Sequence, residues 1–150
     1  TLKNYLKKGK KLDIQLILEI KSLPTKAMED KAVENIVKMV RKMKLEKQVE
    51  YIAFSLNVCE QLAKLTPESE IAYLNGDVAP AELKKKGING IDYHYNVIEK
   101  HPEWVKEAHD LGMKVNVWTV NKEDMMKKLI DRKVDYITTD QPLELKKLLE

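Results

Sequence analysis

Cysteine, glycine, proline and phenylalanine are all scarce in this chain of 150 residues, which has one, five, five and one of them respectively. A single cysteine, Cys59, excludes a disulfide framework within the chain. Its apolar helical surroundings favour a small core residue. No apolar run approaches the roughly 20 residues that a membrane-spanning helix needs. No G-x-G-x-x-G or P-loop pattern occurs either, which argues against a nucleotide-binding open sheet.

An excess of charge of one sign is also lacking, because 27 Lys and Arg residues face 24 Asp and Glu residues and the formal net charge is +3. The lysines are spread over nearly every segment and mixed with acids, whereas a nucleic-acid footprint would cluster on one face. The sequence therefore predicts no nucleic-acid partner. With 43% hydrophobic and 34% charged residues, the composition is that of a globular chain of single-domain length.

Short apolar runs alternate with helical patterns along the whole chain. The predicted strands cover residues 15–20, 49–54, 71–74, 88–93, 114–120 and 134–138. Alternation of this kind indicates a parallel sheet with right-handed crossovers, and the mean spacing of about 24 residues suits a (β/α)8 barrel. Six units are too few to close such a barrel. The predicted fold class is therefore α/β, a partial TIM (β/α)8 barrel, with two open sheet edges that invite pairing with another chain.

The helix boundaries are predicted from capping residues. Asn57, with Glu60 three residues later, resembles a capping box at the start of the third helix. Asn121 and Asp140 are predicted to cap the last two helices. The pair His101–Pro102 predicts the start of the helix that follows the fourth strand.

The first predicted strand ends in an acid and a base, Glu19 and Lys21. A run of branched aliphatic residues this short predicts a strand buried on both faces, and residues two apart share a face. At a barrel mouth, a metal would bind the carboxylate and a phosphate would bind the ammonium. The alternative is an ion pair that closes the strand end. Asp13, before this strand, is predicted to lie in a surface loop.

Three stretches together resemble one enzyme family. Leu18–Lys21 (LEIK) resembles the IEIK strand of glycerophosphodiester phosphodiesterases. Val115–Asn121 (VNVWTVN) is similar to the family's V-x-V-W-T-V-N strand, and Val134–Pro142 (VDYITTDQP) to its closing V-D-G-I-I-T-D-x-P. Phe54–Ser55 stands where the family has Ser-Phe, in inverted order. The three strong matches follow the family's order and span nearly the whole chain.

The resemblance implies a TIM-type barrel that hydrolyses a glycerophosphodiester to glycerol 3-phosphate and an alcohol. In the family, carboxylates hold a divalent ion, Mg²⁺ or Ca²⁺, and two histidines transfer protons. The family's first strand carries AHRG and its second carries E-x-D, and neither motif occurs here. We therefore expect the last six βα units of such an enzyme. Glu19 would be a metal ligand and Lys21 would contact the phosphate.

The missing motifs set two expectations for this chain. As a fragment it should turn over little substrate, because the family's acid–base histidines are absent. It should also associate, either with the missing N-terminal barrel segment or with itself through its open sheet edges. The alternative function is a noncatalytic ligand-binding or self-associating module derived from a barrel.

Three more residues are candidates for substrate contact. Trp118 would form a wall of the glycerol pocket, or else be a core aromatic residue between barrel and helices. His94 follows the fourth strand, at the end where barrel active sites form. Ser55 ends the second strand and would either bind a ligand or begin a helix. None of the three histidines matches a catalytic position of the family, so no catalytic residue is predicted.

Overall fold

Strands and helices alternate as predicted in the structure, a computed structural model that describes residues 1–12 and 14–150. Asp13, predicted to be a surface loop residue, lies outside the described residues. The chain divides into two compact units. Unit 1 comprises Thr1–Tyr73 and Lys86–Ile88, and unit 2 comprises Leu74–Lys85 and Asn89–Glu150. None of the helices in the described ranges combines the length and the apolarity that crossing a bilayer requires.

Unit 1 contains three parallel strands in chain order, with β1 beside β2 and β2 beside β3. Its elements are α1 (Leu2–Gly9), β1 (Leu16–Glu19), α2 (Lys26–Met43), β2 (Val49–Ala53), α3 (Leu56–Leu65) and β3 (Ile71–Tyr73). Among the described residues of this unit, β1 pairs with β2 alone. The predicted open edge therefore lies at β1.

The first strand buries one face, so the prediction of burial on both faces is wrong. Leu16 and Leu18 are buried, whereas Ile17 is 46% exposed and Glu19 is also exposed. Leu16 lies against Gly9 of α1. Helices α2 and α3 add further buried apolar residues to unit 1, namely Val33, Val37, Val40, Val58 and Leu62. The other face of β1 carries Ile17 and Glu19, which are both exposed. Glu19 is consequently open to solvent.

The third helix begins earlier than its predicted capping box. Ser55 is the N-cap, and its hydroxyl accepts a hydrogen bond from the Val58 amide at 3.3 Å. Asn57 lies inside the first turn and donates its side-chain amide to Glu29 instead. The box formed by Asn57 and Glu60 is therefore wrong, because a partner on another helix takes the asparagine side chain.

Unit 2 contains three more parallel strands, with β4 beside β5 and β5 beside β6. Its elements are α4 (Pro80–Lys85), β4 (Gly90–His94), α5 (Tyr95–Lys100), α6 (Glu103–Asp110), β5 (Lys114–Trp118), α7 (Glu123–Asp131), β6 (Tyr136–Ile137) and α8 (Pro142–Leu149). Helix α5 is not predicted from the sequence, because six residues are too few to show a helical period.

Two predicted helix caps of unit 2 are wrong for one shared reason. The N-cap positions of α7 and α8 are Lys122 and Gln141, and neither donates or accepts a side-chain capping bond. The predicted caps bond to each other instead. Asn121 Nδ2 donates to Asp140 Oδ2 at 2.8 Å, and the Asp140 amide donates to Asn121 Oδ1 at 2.9 Å. The loops that follow β5 and β6 are therefore tied together.

Cys59 is a fully buried core residue, as predicted, and we expect it to be inert in the folded chain. Burial raises the pKa of its thiol to about 12. The thiolate is the reactive form, so at about pH 8 its population should fall roughly a thousandfold below that of an ordinary cysteine. A disulfide reagent such as DTNB should therefore label the native chain at least that much more slowly than the urea-unfolded chain. Equal labelling rates in the two states would contradict the burial described here.

Candidate functional site

Glu19 and Lys21 form a solvent-exposed ion pair at the carboxyl end of β1. Lys21 Nζ lies 2.5 Å from Glu19 Oε1, and the two side chains are 76% and 31% exposed for the lysine and the glutamate. Leu18 and Ile20 are buried on the opposite face. The period-two alternation therefore places these two predicted site residues together, with their charged groups accessible to a ligand.

This pair can offer one oxygen-rich group and one cationic group. A carboxylate can coordinate a hard cation, and an ammonium can donate to a phosphate oxygen. Mg²⁺ and Ca²⁺ take six or more oxygen ligands. In residues 1–12 and 14–150, no group of three or more His, Cys, Asp and Glu side chains is placed to hold a metal ion. These residues alone therefore do not fit a complete Mg²⁺ or Ca²⁺ site.

Glu29 is a buried acid that sequence reasoning missed. It lies in the first turn of α2 and is only 5% exposed. Its Oε1 accepts from the Leu23 amide at 3.3 Å, and its Oε2 accepts from Ser55 Oγ at 2.9 Å and from Asn57 Nδ2 at 3.0 Å. Glu29 thus joins the loop after β1 to the start of α3. An acid in a first helical turn normally indicates a solvated residue, so the sequence alone carries no signal for this contact.

The hydroxyl of Ser55, a predicted substrate contact, has two partners within unit 1. It donates to Glu29 and accepts from the Val58 amide. Ser55 also borders an open pocket of about 470 Å³ between the loops that follow β1 and β2, together with Leu23 and Glu29. Neither Glu19 nor Lys21 lines this pocket. The structure therefore places Ser55 near the same strand ends but does not bring it to the ion pair.

Unit 2 brings two other predicted residues together, His94 and Trp118. Their rings meet edge to face with centroids 5.1 Å apart. Trp118 Nε1 donates to the Asp92 carbonyl at 2.8 Å, which fixes the indole against β4. His94 Nδ1 accepts from the Asn96 amide at 3.2 Å and so caps α5. Because Nδ1 is an acceptor there, the neutral ring carries its proton on Nε2.

A row of polar side chains joins β4, β5 and the residue after β6 on the face that Trp118 shares. Asn116 Nδ2 donates to Asp92 Oδ1 at 2.8 Å and to Thr138 Oγ1 at 3.0 Å. Asp92 is only 3% exposed. Sequence reasoning missed Asp92, although an acid inside an apolar strand was an available signal, since buried carboxylates need partners. These hydrogen bonds hold the polar side chains beside Trp118 in fixed positions.

Comparison with known proteins gives one consistent family. The sequence profile of the Glycerophosphoryl diester phosphodiesterase family matches residues 1–144. A crystal structure of a glycerophosphodiester phosphodiesterase from Parabacteroides distasonis is 48% identical, with a TM-score of 0.98 over 99% of this chain and 63% of that chain. A glycerophosphodiester phosphodiesterase from Caldanaerobacter subterraneus subsp. tengcongensis is 28% identical over 73% of this chain and 45% of its own length.

More distant structures agree in fold. A glycerophosphodiester phosphodiesterase from Agrobacterium tumefaciens is 18% identical, with a TM-score of 0.72 over 96% of this chain and 59% of that chain. The chain thus spans about half to two thirds of the length of these relatives. The likeness over its whole length confirms the predicted fold class, about six βα units of a TIM-type barrel with parallel strands.

Proposed function

Because this chain belongs to the glycerophosphoryl diester phosphodiesterase family, we propose that it takes part in hydrolysing glycerophosphodiesters to glycerol 3-phosphate and an alcohol. The observation that carries the proposal is the Glu19–Lys21 pair, with both charged groups exposed at the carboxyl end of β1. Catalytic groups of (β/α)8 barrels stand at this end of the strands. A phosphodiester needs its anionic oxygens neutralised there.

Lys21 has the simplest role in this proposal. Its ammonium would donate to a nonbridging phosphate oxygen and offset its charge. Because the side chain is largely exposed, it can leave Glu19 for a ligand at little cost in free energy, since exposed ion pairs contribute about 0–1 kcal/mol. For unit 2 by itself, Trp118 would form a wall of a glycerol pocket and His94 would be a substrate contact.

The proposal includes a divalent ion, Mg²⁺ or Ca²⁺, to which Glu19 gives one oxygen ligand. The described residues hold no group of three candidate ligands, so further ligands would come from beyond them. No proton transfer is assigned to His94, His101 or His109, since none matches a catalytic position of the family. We therefore expect activity from the complete enzyme, meaning this chain together with the barrel units that its relatives add, and little from the 150 residues alone.

The association proposal concerns the exposed edge of β1. This strand pairs with β2 alone among the described residues of unit 1, and Ile17 is half exposed on it. Unpaired strand edges invite another strand. The missing barrel units would occupy this edge in the complete enzyme, and a second copy of the chain would occupy it in their absence.

The test is a comparison of turnover by the complete enzyme and by the 150-residue chain. Each is incubated with glycerophosphocholine, glycerophosphoethanolamine or glycerophosphoinositol and with Mg²⁺ or Ca²⁺, and released glycerol 3-phosphate is measured enzymatically. We expect release by the complete enzyme and at least about a hundredfold less by the chain alone. The function is refuted if the complete enzyme releases none from any of the three, and the fragment proposal is refuted if both rates agree.

A noncatalytic binding module is the second candidate. The observation that favours it is the missing group of three metal ligands in the described residues. A module of this kind would bind glycerol 3-phosphate without turnover even when complete. Calorimetric titration of the complete protein with that ligand, beside the turnover assay, distinguishes the two functions.

A further inference from the structure

We propose that Glu29 is a positioning residue, which holds the loop after β1 so that Lys21 stands at the strand end. This inference rests on the proposed function for the role of Lys21, but the contacts that support it are independent of any ligand. The contacts of Glu29 described above include no charged partner. Its three hydrogen-bond donors come from the loop after β1 and from the start of α3.

The loop comprises residues 20–25, and both of its ends are fixed by the backbone. At its start, the Ile20 amide donates to Ile52 O on β2 at 3.0 Å. At its end, the Thr25 carbonyl accepts from the Met28 and Glu29 amides at the start of α2, each at 3.1 Å. Between these ends, the Leu23 amide donates to Glu29 Oε1. That bond holds the middle of the loop, two residues after Lys21.

The same carboxylate is anchored on the side away from the loop. Glu29 Oε2 accepts from Ser55 and from Asn57, which belong to the N-terminus of α3. The hydroxyl of Ser55 also accepts from Val58, so α3 keeps its cap if Glu29 is changed. A change at Glu29 should therefore release the loop while leaving the start of α3 in place.

Burying the Glu29 carboxylate costs desolvation free energy, which its hydrogen bonds must offset. A carboxylate at 5% exposure loses most of its hydration, and its hydrogen bonds replace that hydration. An apolar side chain at this position would fill the space without that requirement. What an apolar residue cannot do is accept the Leu23 amide. The geometry therefore points to control of the loop as the role of this acid.

The first experiment measures loop order in the 150-residue chain. Amide hydrogen exchange is followed by NMR in the unsubstituted chain, in Glu29→Gln and in Glu34→Gln, an exposed acid on the same helix that serves as the matched control. In Glu29→Gln we expect exchange at Leu23 to rise about tenfold or more, because the acceptor loses its charge and one of its two oxygens is replaced by an NH2 group that cannot accept. Exchange at Tyr51, whose amide donates to Glu70 O on the same unit, should stay within about twofold.

The second experiment measures the consequence for the reaction in the complete enzyme. Glu29→Gln is expected to raise KM for glycerophosphocholine about tenfold with a smaller change in kcat, because a displaced Lys21 binds the phosphate less well. Glu34→Gln should leave both constants unchanged. A purely structural role would instead lower the amount of folded enzyme, and so the apparent kcat, without moving KM.

The outcomes separate the two proposals. Unchanged exchange at Leu23 in both Glu29→Gln and Glu29→Asp overturns the positioning role, whatever the kinetics show. Faster exchange with an unchanged KM also overturns it, since the loop would then be held for stability alone. If the unsubstituted complete enzyme hydrolyses nothing, the proposed function fails, and the exchange experiment by itself decides whether Glu29 holds the loop. Should Glu29→Gln fold poorly, Glu29→Asp, which keeps the charge but shortens the reach, should show the same local rise at Leu23.

Discussion

Replacing Glu19 by glutamine in the complete enzyme is expected to lower kcat/KM for glycerophosphocholine by more than about a hundredfold. The proposal makes Glu19 a direct ligand of the divalent ion, and losing even a residue that only supports a ligand costs about 10- to 100-fold. Glutamine keeps the shape of the side chain but removes its charge. The loss should therefore report the carboxylate and not a change in packing. Initial rates of glycerol 3-phosphate release at several metal concentrations provide the measurement.

Glu82 provides the matched control for this substitution. It is also an exposed glutamate paired with a lysine, Lys85, at 2.6 Å, but it lies on α4 and not at a strand end. Glu82→Gln should change kcat/KM by less than about twofold, because exposed ion pairs of this kind contribute little free energy. If Glu19→Gln retained activity within tenfold of the unsubstituted enzyme at every metal concentration, Glu19 could not be a metal ligand.

Leu62→Ala is expected to have the largest effect on stability, lowering the free energy of unfolding by about 2–5 kcal/mol. Leu62 has no exposed surface, and it lies on α3 in the layer that covers the strands of unit 1. Removing its three terminal carbons leaves a cavity that close-packed neighbours fill only in part. The total free energy of unfolding of a domain is roughly 5–15 kcal/mol, so this loss is a large share of it.

An identical substitution at an exposed position provides the control. Leu143→Ala on α8 removes the same atoms from a residue that is 74% exposed, and it should change the free energy of unfolding by less than about 0.5 kcal/mol. Urea unfolding followed by circular dichroism measures both variants. Similar urea midpoints for Leu62→Ala and the unsubstituted chain would show that Leu62 is not packed in the core as described here.

The parts of the fold that depend on local patterns were predictable from the sequence. The alternation of strands and helices, the approximate limits of β1 to β6 and the shared face of Glu19 and Lys21 all follow from hydrophobic periodicity. The family resemblance rests on stretches at β1, β5 and β6, and the match over residues 1–144 confirms it. Short elements were the exception, since α5 is too brief for a period to appear.

The parts that depend on distant partners were not predictable. Asn57 and Asn121 have side chains that suit helix caps. Each instead donates to a carboxylate distant in sequence, Glu29 and Asp140 respectively. One-sided burial of β1 depends on which layer is present on its second face, which composition does not reveal. Glu29 looks like any acid of a first helical turn until the start of α3 is placed against it.

The pairing of Asn121 with Asp140 has a consequence for exchanging these segments with those of a relative. The segments that follow β5 and β6 share two hydrogen bonds between Asn121 and Asp140, and Asn121 Oδ1 also accepts from Thr139 Oγ1. Replacing one segment alone by that of a relative would break the hydrogen bonds between Asn121 and Asp140, and the segment left in place would lose its support. The two segments should therefore be exchanged together, with Asn121 and Asp140 both retained.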